Sequence, residues 1–286
     1  MEEKVVSLAE LIKEGENTLK SRGIEAPRRE ALLLISSALR KSMGELLMMD
    51  RSVLVDPQLC RSFFQRRAQR EPYAYITGEQ GFWSLDIKVS SATLIPRADS
   101  EALIETLLFL RPKRQSNYQI LDLGTGTGCL LLAALTEYTQ AFGIGIDIVP
   151  EAVKIAVING RESQLSQRLS FIVGHWGDAL IGKFDIIFSN PPYICAKDIP
   201  NLMPEVRAYE PLSALDGGED GMDAYRYICT QACHLLRKDG ILIFEIGIHQ
   251  DKMVEAIAES NGLFVVHRQQ DLNGCIRAIA LSSSKL

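Results

Sequence analysis

The sequence contains no apolar stretch near the ~20 residues that a bilayer-crossing helix needs; its longest runs, such as Ala31 to Ile35 and Leu130 to Leu135, fall far short. No membrane partner is expected. Its six cysteines, Cys60, Cys129, Cys195, Cys229, Cys233 and Cys275, are scattered without a CxxC pair, and no charged-then-apolar leader follows Met1. That pattern argues against a disulfide framework and for a reducing cytoplasm. Positive charge is also short: 31 Lys and Arg stand against 36 Asp and Glu, a net charge of −5. A chain of that balance is not drawn to nucleic acid by counterion release, so no direct nucleic-acid partner is expected. Internal repeats and low-complexity tracts are absent. Cys229, Cys233 and His234 lie close together but lack further partners at ligand spacing, so no metal is expected.

What is present is ordinary globular material, 47% hydrophobic and 23% charged, which excludes a disordered or fibrous chain. At 286 residues there is room for one large domain and a smaller companion, with a monomer as the default state. From Ser7 to about Arg70 apolar residues recur at three and four: Leu8, Leu11, Ile12 and Leu19, then Leu32, Leu33, Ile35 and Leu39. This is the period of helices with one buried face. Pro27 opens the second helix, Asp56-Pro57 opens a later one, and Gly23 separates the first two. A small helical domain is predicted over residues 1–74. Arg28, Arg29, Arg66, Arg67 and Arg70 make it locally basic, which suits either a docking face or a solvated helix face. Over residues 75–96 the character changes to alternation, from Gly81-Phe82-Trp83 to Val89, predicting a β-hairpin linker.

Residues 97–286 carry strand-length apolar runs at Ile120–Leu123, Phe142–Ile146, Leu169–Val173, Phe184–Phe188 and Ile241–Ile246. They alternate with helical segments, the pattern of a mostly parallel sheet covered on both faces. The polar tail from Ser282 to Leu286 is expected to fray.

The first of these runs leads straight into Gly124-Thr125-Gly126-Thr127-Gly128, and a helical pattern follows. Glycines there permit positive φ and remove the β-carbons that would hold a ligand away, beside a helix N-terminus that favours negative groups. Asp147 ends the next strand, where a carboxylate can accept hydrogen bonds from both hydroxyls of a ribose. An adenosine-containing cofactor follows. A dinucleotide would fit the same motif, and so would an unliganded glycine turn, but GxGxG differs from the GxGxxG that seats a pyrophosphate.

A further strand, Phe184–Ser189, delivers Asn190-Pro191-Pro192-Tyr193 at its carboxyl end, beside the glycine turn. Open α/β sheets bind ligands at that end. Two prolines stiffen the segment, so the Asn190 amide oxygen and the Pro191 carbonyl oxygen can converge on one NH2 group. That suits an amide or exocyclic amine, whose delocalised lone pair makes the nitrogen a poor nucleophile. Accepting both N–H bonds orients the nitrogen and stabilises its developing positive charge. Tyr193 can offer its ring face to the substrate or to a cationic methylsulfonium. A stiff Pro-Pro turn with no chemistry is the plain alternative.

With these motifs in order, the chain resembles the HemK/PrmC family of peptide chain release factor N5-glutamine methyltransferases. The likeness also includes Leu94-Ile95-Pro96-Arg97 with Glu101, Asn159, Glu210-Pro211, Ala214-Leu215, Gly217-Gly218, Asp220-Gly221, and Glu245-Ile246-Gly247 with Gln250. It implies a class I S-adenosylmethionine-dependent methyltransferase domain, Rossmann-like, preceded by a small all-helical domain that docks substrate and a β-hairpin linker. By the resemblance, Gly124 to Gly128, Asp147, Trp176 and Asn190 would hold S-adenosylmethionine. Asn190 to Tyr193 would bind the glutamine of the release factor's Gly-Gly-Gln tripeptide, with Asn190, Pro191 and Tyr193 catalytic, in the service of translation termination.

Two departures stand out. The family's acid before the tryptophan is His175, with Asp178 three residues on, which leaves the adenine N6 without its usual acceptor. The usual Arg-Pro-Glu-Thr-Glu reads Arg97-Ala98-Asp99-Ser100-Glu101. Glu245, at a strand end near the cleft, suits either a functional or a structural role. An adenine-N6 methyltransferase is the rival activity, since adenine offers the same two N–H bonds, but it calls for an inserted basic and aromatic readout region that this acidic chain lacks. A silent cofactor-binding module is the non-enzymatic rival, against which the intact Asn190 to Tyr193 motif argues.

Overall fold

The computed structural model describes residues 5–284, so Lys285 and Leu286 of the tail lie outside the described residues. The chain divides into two compact units. One runs to Gly78 and includes Met203–Tyr209; the other comprises Glu79–Leu202 and Glu210–Leu286.

The smaller unit holds helices Leu8–Lys20, Pro27–Ala38, Met43–Met48, Gln58–Ala68 and Tyr73–Thr77, with a short antiparallel pair, β1 (Val6–Ser7) and β2 (Leu54–Val55). Its first helix starts at a capping box: Ser7 Oγ accepts the Glu10 N–H at 3.2 Å and the Glu10 carboxylate accepts the Ser7 N–H at 3.0 Å. Two orphan donors of the first turn are thereby satisfied. Leu8, Leu11, Ile12 and Leu19 are buried, as their spacing predicts. In the second helix the buried set is Ala31, Leu34 and Ile35, while Leu32, Leu33 and Leu39 are only partly buried. An uninterrupted apolar run leaves the helical phase open, and packing against the first helix settles it.

Four of the five arginines singled out from the sequence are tied down within this unit. Arg66 pairs with Glu71 and donates to the Tyr75 and Ile76 carbonyls, Arg67 binds Glu30 and Glu205, Arg70 binds Glu205, and Arg28 binds Glu16. Gly15 lies mid-helix, and a β-carbon built on it would come within 2.5 Å of the Phe64 ring. Gly15→Ala would gain about 1 kcal/mol of helix propensity but force a buried aromatic to move, at about 1–3 kcal/mol. The expected net result is a lower midpoint for this unit in thermal unfolding.

The larger unit opens with a hairpin, β3 (Glu79–Phe82) and β4 (Leu85–Lys88). Its sheet contains β5 (Gln119–Leu123), β6 (Phe142–Asp147), β7 (Leu169–Val173), β8 (Phe184–Ser189), β9 (Leu236–Glu245), β10 (Phe264–Gln270) and β11 (Ile276–Ser282), in the order β10-β11-β9-β8-β5-β6-β7. Strands β5 to β9 pair in parallel, while β11 runs antiparallel to both β9 and β10. Consecutive β5 and β6 run one way from the centre and β8 and β9 the other, so a crevice opens at the carboxyl ends where the order reverses. Strand β9 begins five positions before the expected Ile241 and ends at Glu245. The tail does not fray where described: Ser282 is buried in β11, its Oγ donating to the Gly240 carbonyl at 2.9 Å, and Ser284 Oγ binds Asp239. Among the described residues no helix is long and apolar enough to cross a membrane.

Candidate active site

Three strand ends converge on one cleft enclosing about 940 Å³, its open mouth included. The glycine turn follows β5, with φ of +74° at Gly124, +54° at Gly126 and +82° at Gly128. Its backbone is held against β6: Gly124 and Thr125 N–H both donate to the Ile146 carbonyl, and Gly126 N–H donates to Asp147 Oδ2 at 2.8 Å. The second Asp147 oxygen accepts Val149 N–H at 2.9 Å. Both carboxylate oxygens are therefore fixed while Asp147 lines the cleft, with acceptor capacity to spare. Burial pushes its pKa above the usual aspartate value, against the pull of the backbone N–H donors.

Gly124, Thr125, Gly126 and Thr127 line the cleft, with Gly128 just behind as the N-cap of helix Cys129–Glu137. A β-carbon on Gly124 would come within 3.2 Å of the Trp176 indole, so that ring lies across the turn; above Gly126 there is open space. Beneath the turn, buried Asp122 accepts the Thr125 hydroxyl at 2.6 Å, and burial raises its pKa to about 7. Among the lining residues Arg97 and Asp147 carry the charge, and most of the rest are apolar or small. This suits a nucleoside with a short zwitterionic arm.

Asn190 and Pro192 line the same cleft; Pro191 is buried under it, and Tyr193 packs on the main core. The Pro191 carbonyl accepts no hydrogen bond from the described residues. Asn190 Nδ2 donates to Ser100 Oγ at 3.4 Å, the Ser100 hydroxyl donates to buried Glu245, and the Tyr193 hydroxyl donates to Glu245 Oε1 at 3.1 Å. Burial raises the pKa of Glu245, and burial beside that carboxylate pushes up the Tyr193 phenol. Beyond Tyr193 the chain is pinned by Gln250, which accepts Gly247 N–H and donates to the Tyr193 carbonyl, each at 2.9 Å.

The loop Asp216–Gly221 closes over this segment. Gly217 leaves no room there: a β-carbon would sit 2.8–2.9 Å from Tyr193 Cα, Gly221 Cα and the Pro192 carbonyl, all backbone. Backbone cannot rotate away as a side chain can, so Gly217→Ala is expected to shift Asn190 to Tyr193. Turnover should drop at least roughly tenfold for a displacement of a few tenths of an ångström in an oriented site, with cofactor affinity little changed. Comparing steady-state kinetics with calorimetric binding checks this.

Residues that sequence reasoning reached only through resemblance, or not at all, hold these parts in register. Buried Asn159 exchanges hydrogen bonds with the Lys88 backbone and donates to the Thr127 carbonyl, joining the hairpin to the glycine turn. Buried Glu210 accepts Ile95 N–H and the Arg97 guanidinium. Trp83 donates through Nε1 to Glu137 and through its N–H to Glu101, at 2.8 and 2.7 Å. Ser100 had no sequence signal beyond its place in the altered Arg97 to Glu101 run.

His175 does not line the cleft, whereas its neighbours Gly174 and Trp176 do. It is exposed, bound through Nδ1 to Asp178 at 2.9 Å and set edge-on to Tyr227. Any acceptor for an adenine amine comes from elsewhere. Cys229 is buried, the Cys233 thiol contacts the Asn261 carbonyl, and no group of three metal-ligating side chains occurs among the described residues.

Residues 114–276 match a family model described as a methyltransferase domain, and residues 10–78 match one described as the PrmC N-terminal domain. A release factor glutamine methyltransferase from Rhodospirillum rubrum is 42% identical over 275 residues, covering 96% of this chain and 84% of that protein. Another from Agrobacterium fabrum is 38% identical over 266 residues, covering 91% and 92%. Among solved structures, a methyltransferase from Pyrococcus furiosus aligns with a TM-score of 0.52 at 16% identity, over 80% of this chain and 100% of that one, a likeness of fold alone.

Proposed function

The chain belongs to the release factor glutamine methyltransferase family, and from that premise we propose that it methylates the side-chain amide nitrogen, N5, of the glutamine in the Gly-Gly-Gln tripeptide of peptide chain release factors. It is an S-adenosylmethionine-dependent enzyme with a class I, Rossmann-like fold. When bound, that cofactor supplies an electrophilic methyl group on a sulfonium that departs as a neutral thioether.

The chain's own residues supply the rest. Asp147 accepts the ribose hydroxyls, the turn from Gly124 to Gly128 gives close backbone approach, and Trp176 flanks the adenine. Asn190 Oδ1 and the Pro191 carbonyl accept the two N–H bonds of the glutamine amide and hold its nitrogen toward the methyl. Their partial negative charge offsets the positive charge that grows on nitrogen as the bond forms. Methyl transfer to the neutral amide leaves a cationic nitrogen that still carries both hydrogens, and this strongly acidic species loses one proton to solvent to give the neutral N-methyl amide, so no strong base is required. Pro192 and Tyr193 brace the segment. The observation that carries the reading is the Asn190 amide, held through Nδ2 and beside a Pro191 carbonyl that none of the described residues engages. The small helical unit is assigned to docking the release factor, and with Arg28, Arg66, Arg67 and Arg70 engaged in internal ion pairs those four offer it little free positive charge.

Incubation with methyl-labelled S-adenosylmethionine, a release factor and, separately, adenine-containing DNA and RNA tests this. Peptide mass mapping should place the label on the Gly-Gly-Gln glutamine. Label on adenine, or on no substrate, would overturn the reading.

A further inference from the structure

The chain from Asn190 to Tyr193 is tied to one buried carboxylate, directly at Tyr193 and through Ser100 at Asn190. Glu245 closes β9, is 2% exposed, and receives the Tyr193 hydroxyl on Oε1 and the Ser100 hydroxyl on Oε2. Ser100, itself 3% exposed, is the N-cap of helix Glu101–Leu110. A serine has one hydroxyl proton. Because Ser100 gives it to Glu245, its oxygen can only accept from Asn190, and the amide must present Nδ2 to it at 3.4 Å. That fixes which face of a group otherwise free to turn over is shown to the cleft: the oxygen, not the NH2. Arg277, 8% exposed and donating to the Ile246 carbonyl and to Asp271, is the cation whose field acts on Glu245.

We propose that Glu245 and Ser100 are positioning residues that set the direction of the hydrogen-bond chain and so hold Asn190 Oδ1 toward the substrate amide. This rests on the glutamine reading above. A reversed amide would set its NH2 against the one substrate N–H that Oδ1 otherwise accepts, so the relay also selects an NH2-bearing substrate over a carbonyl-bearing one.

Three variants test it in the full-length protein: Ser100→Ala, Ser100→Thr and Glu245→Gln. Ser100→Ala removes the acceptor, and kcat should fall on the order of tenfold or more, with S-adenosylhomocysteine affinity within about twofold of the parent. Ser100→Thr keeps the hydroxyl and should restore most of that loss. Glu245→Gln has one acceptor oxygen for two hydroxyls, so it reverses one of them and should lower kcat similarly. The side-chain amide resonance of Asn190, assigned by its loss in Asn190→Ala, should shift in Ser100→Ala and return in Ser100→Thr. An unshifted resonance, parental kcat in Ser100→Ala, or a parallel loss of cofactor affinity would overturn the proposal. Failure of the parent protein to methylate glutamine would instead sink the functional reading, and the resonance would still decide the orientation.

Discussion

Asn190→Ala is expected to lower turnover by about 2–4 kcal/mol of transition-state stabilisation, the range for losing one preorganised polar partner of a developing charge. That corresponds to roughly thirty- to a thousandfold in rate. Among the described residues the side chain makes a single, long hydrogen bond, to Ser100, so its removal costs the fold little. Binding of S-adenosylhomocysteine should remain within a few-fold of the parent, because the turn and Asp147 are held by other bonds. Single-turnover methylation beside calorimetric binding separates the two effects. Equal losses in both would mean that Asn190 serves the cofactor and not the transferred methyl's acceptor.

Asp147→Ala should act in the opposite sense, on binding first. Its carboxylate closes the turn through Gly126 and Val149, and it is the group placed to receive ribose hydroxyls. Losing charge-assisted hydrogen bonds of that kind is worth about 3 kcal/mol, roughly a hundredfold in cofactor affinity. The pH dependence follows from the direction of its shift. Burial raises the Asp147 pKa, and only the ionised form accepts on both oxygens. Affinity should therefore be intact above that raised pKa and weaken as pH falls through it, starting at a higher pH than an ordinary aspartate would produce. Titrations at several pH values should find this acid limb in the parent and not in Asp147→Ala.

Much of the catalytic unit was legible because its signals are local. Strand, glycine turn and helix follow one another between Ile120 and Leu135, and Asn190-Pro191-Pro192-Tyr193 ends a continuous apolar run. A parallel strand buried on both faces cannot hide its composition. Strands β10 and β11 were not singled out, since Phe264–Gln270 is a half-exposed, bulged edge strand whose polar residues obscure its period. The clamp formed by Ser100, Glu245 and Tyr193 was illegible for a different reason. Its members are separated by 145 and 52 positions, and only the fold brings them together. The basic residues of the helical unit leave a docking face and a solvated helix face equally open in the sequence, because composition does not reveal that Glu30, Glu71 and Glu205 lie against Arg66 and Arg67.

The most direct measurement is a crystal structure of the protein with S-adenosylhomocysteine and a glutamine-bearing release factor. The glutamine nitrogen should lie within hydrogen-bond distance of both Asn190 Oδ1 and the Pro191 carbonyl, with its open side toward the cofactor sulfur. A glutamine held by other groups, or an Asn190 presenting its NH2 to the substrate, would contradict the account.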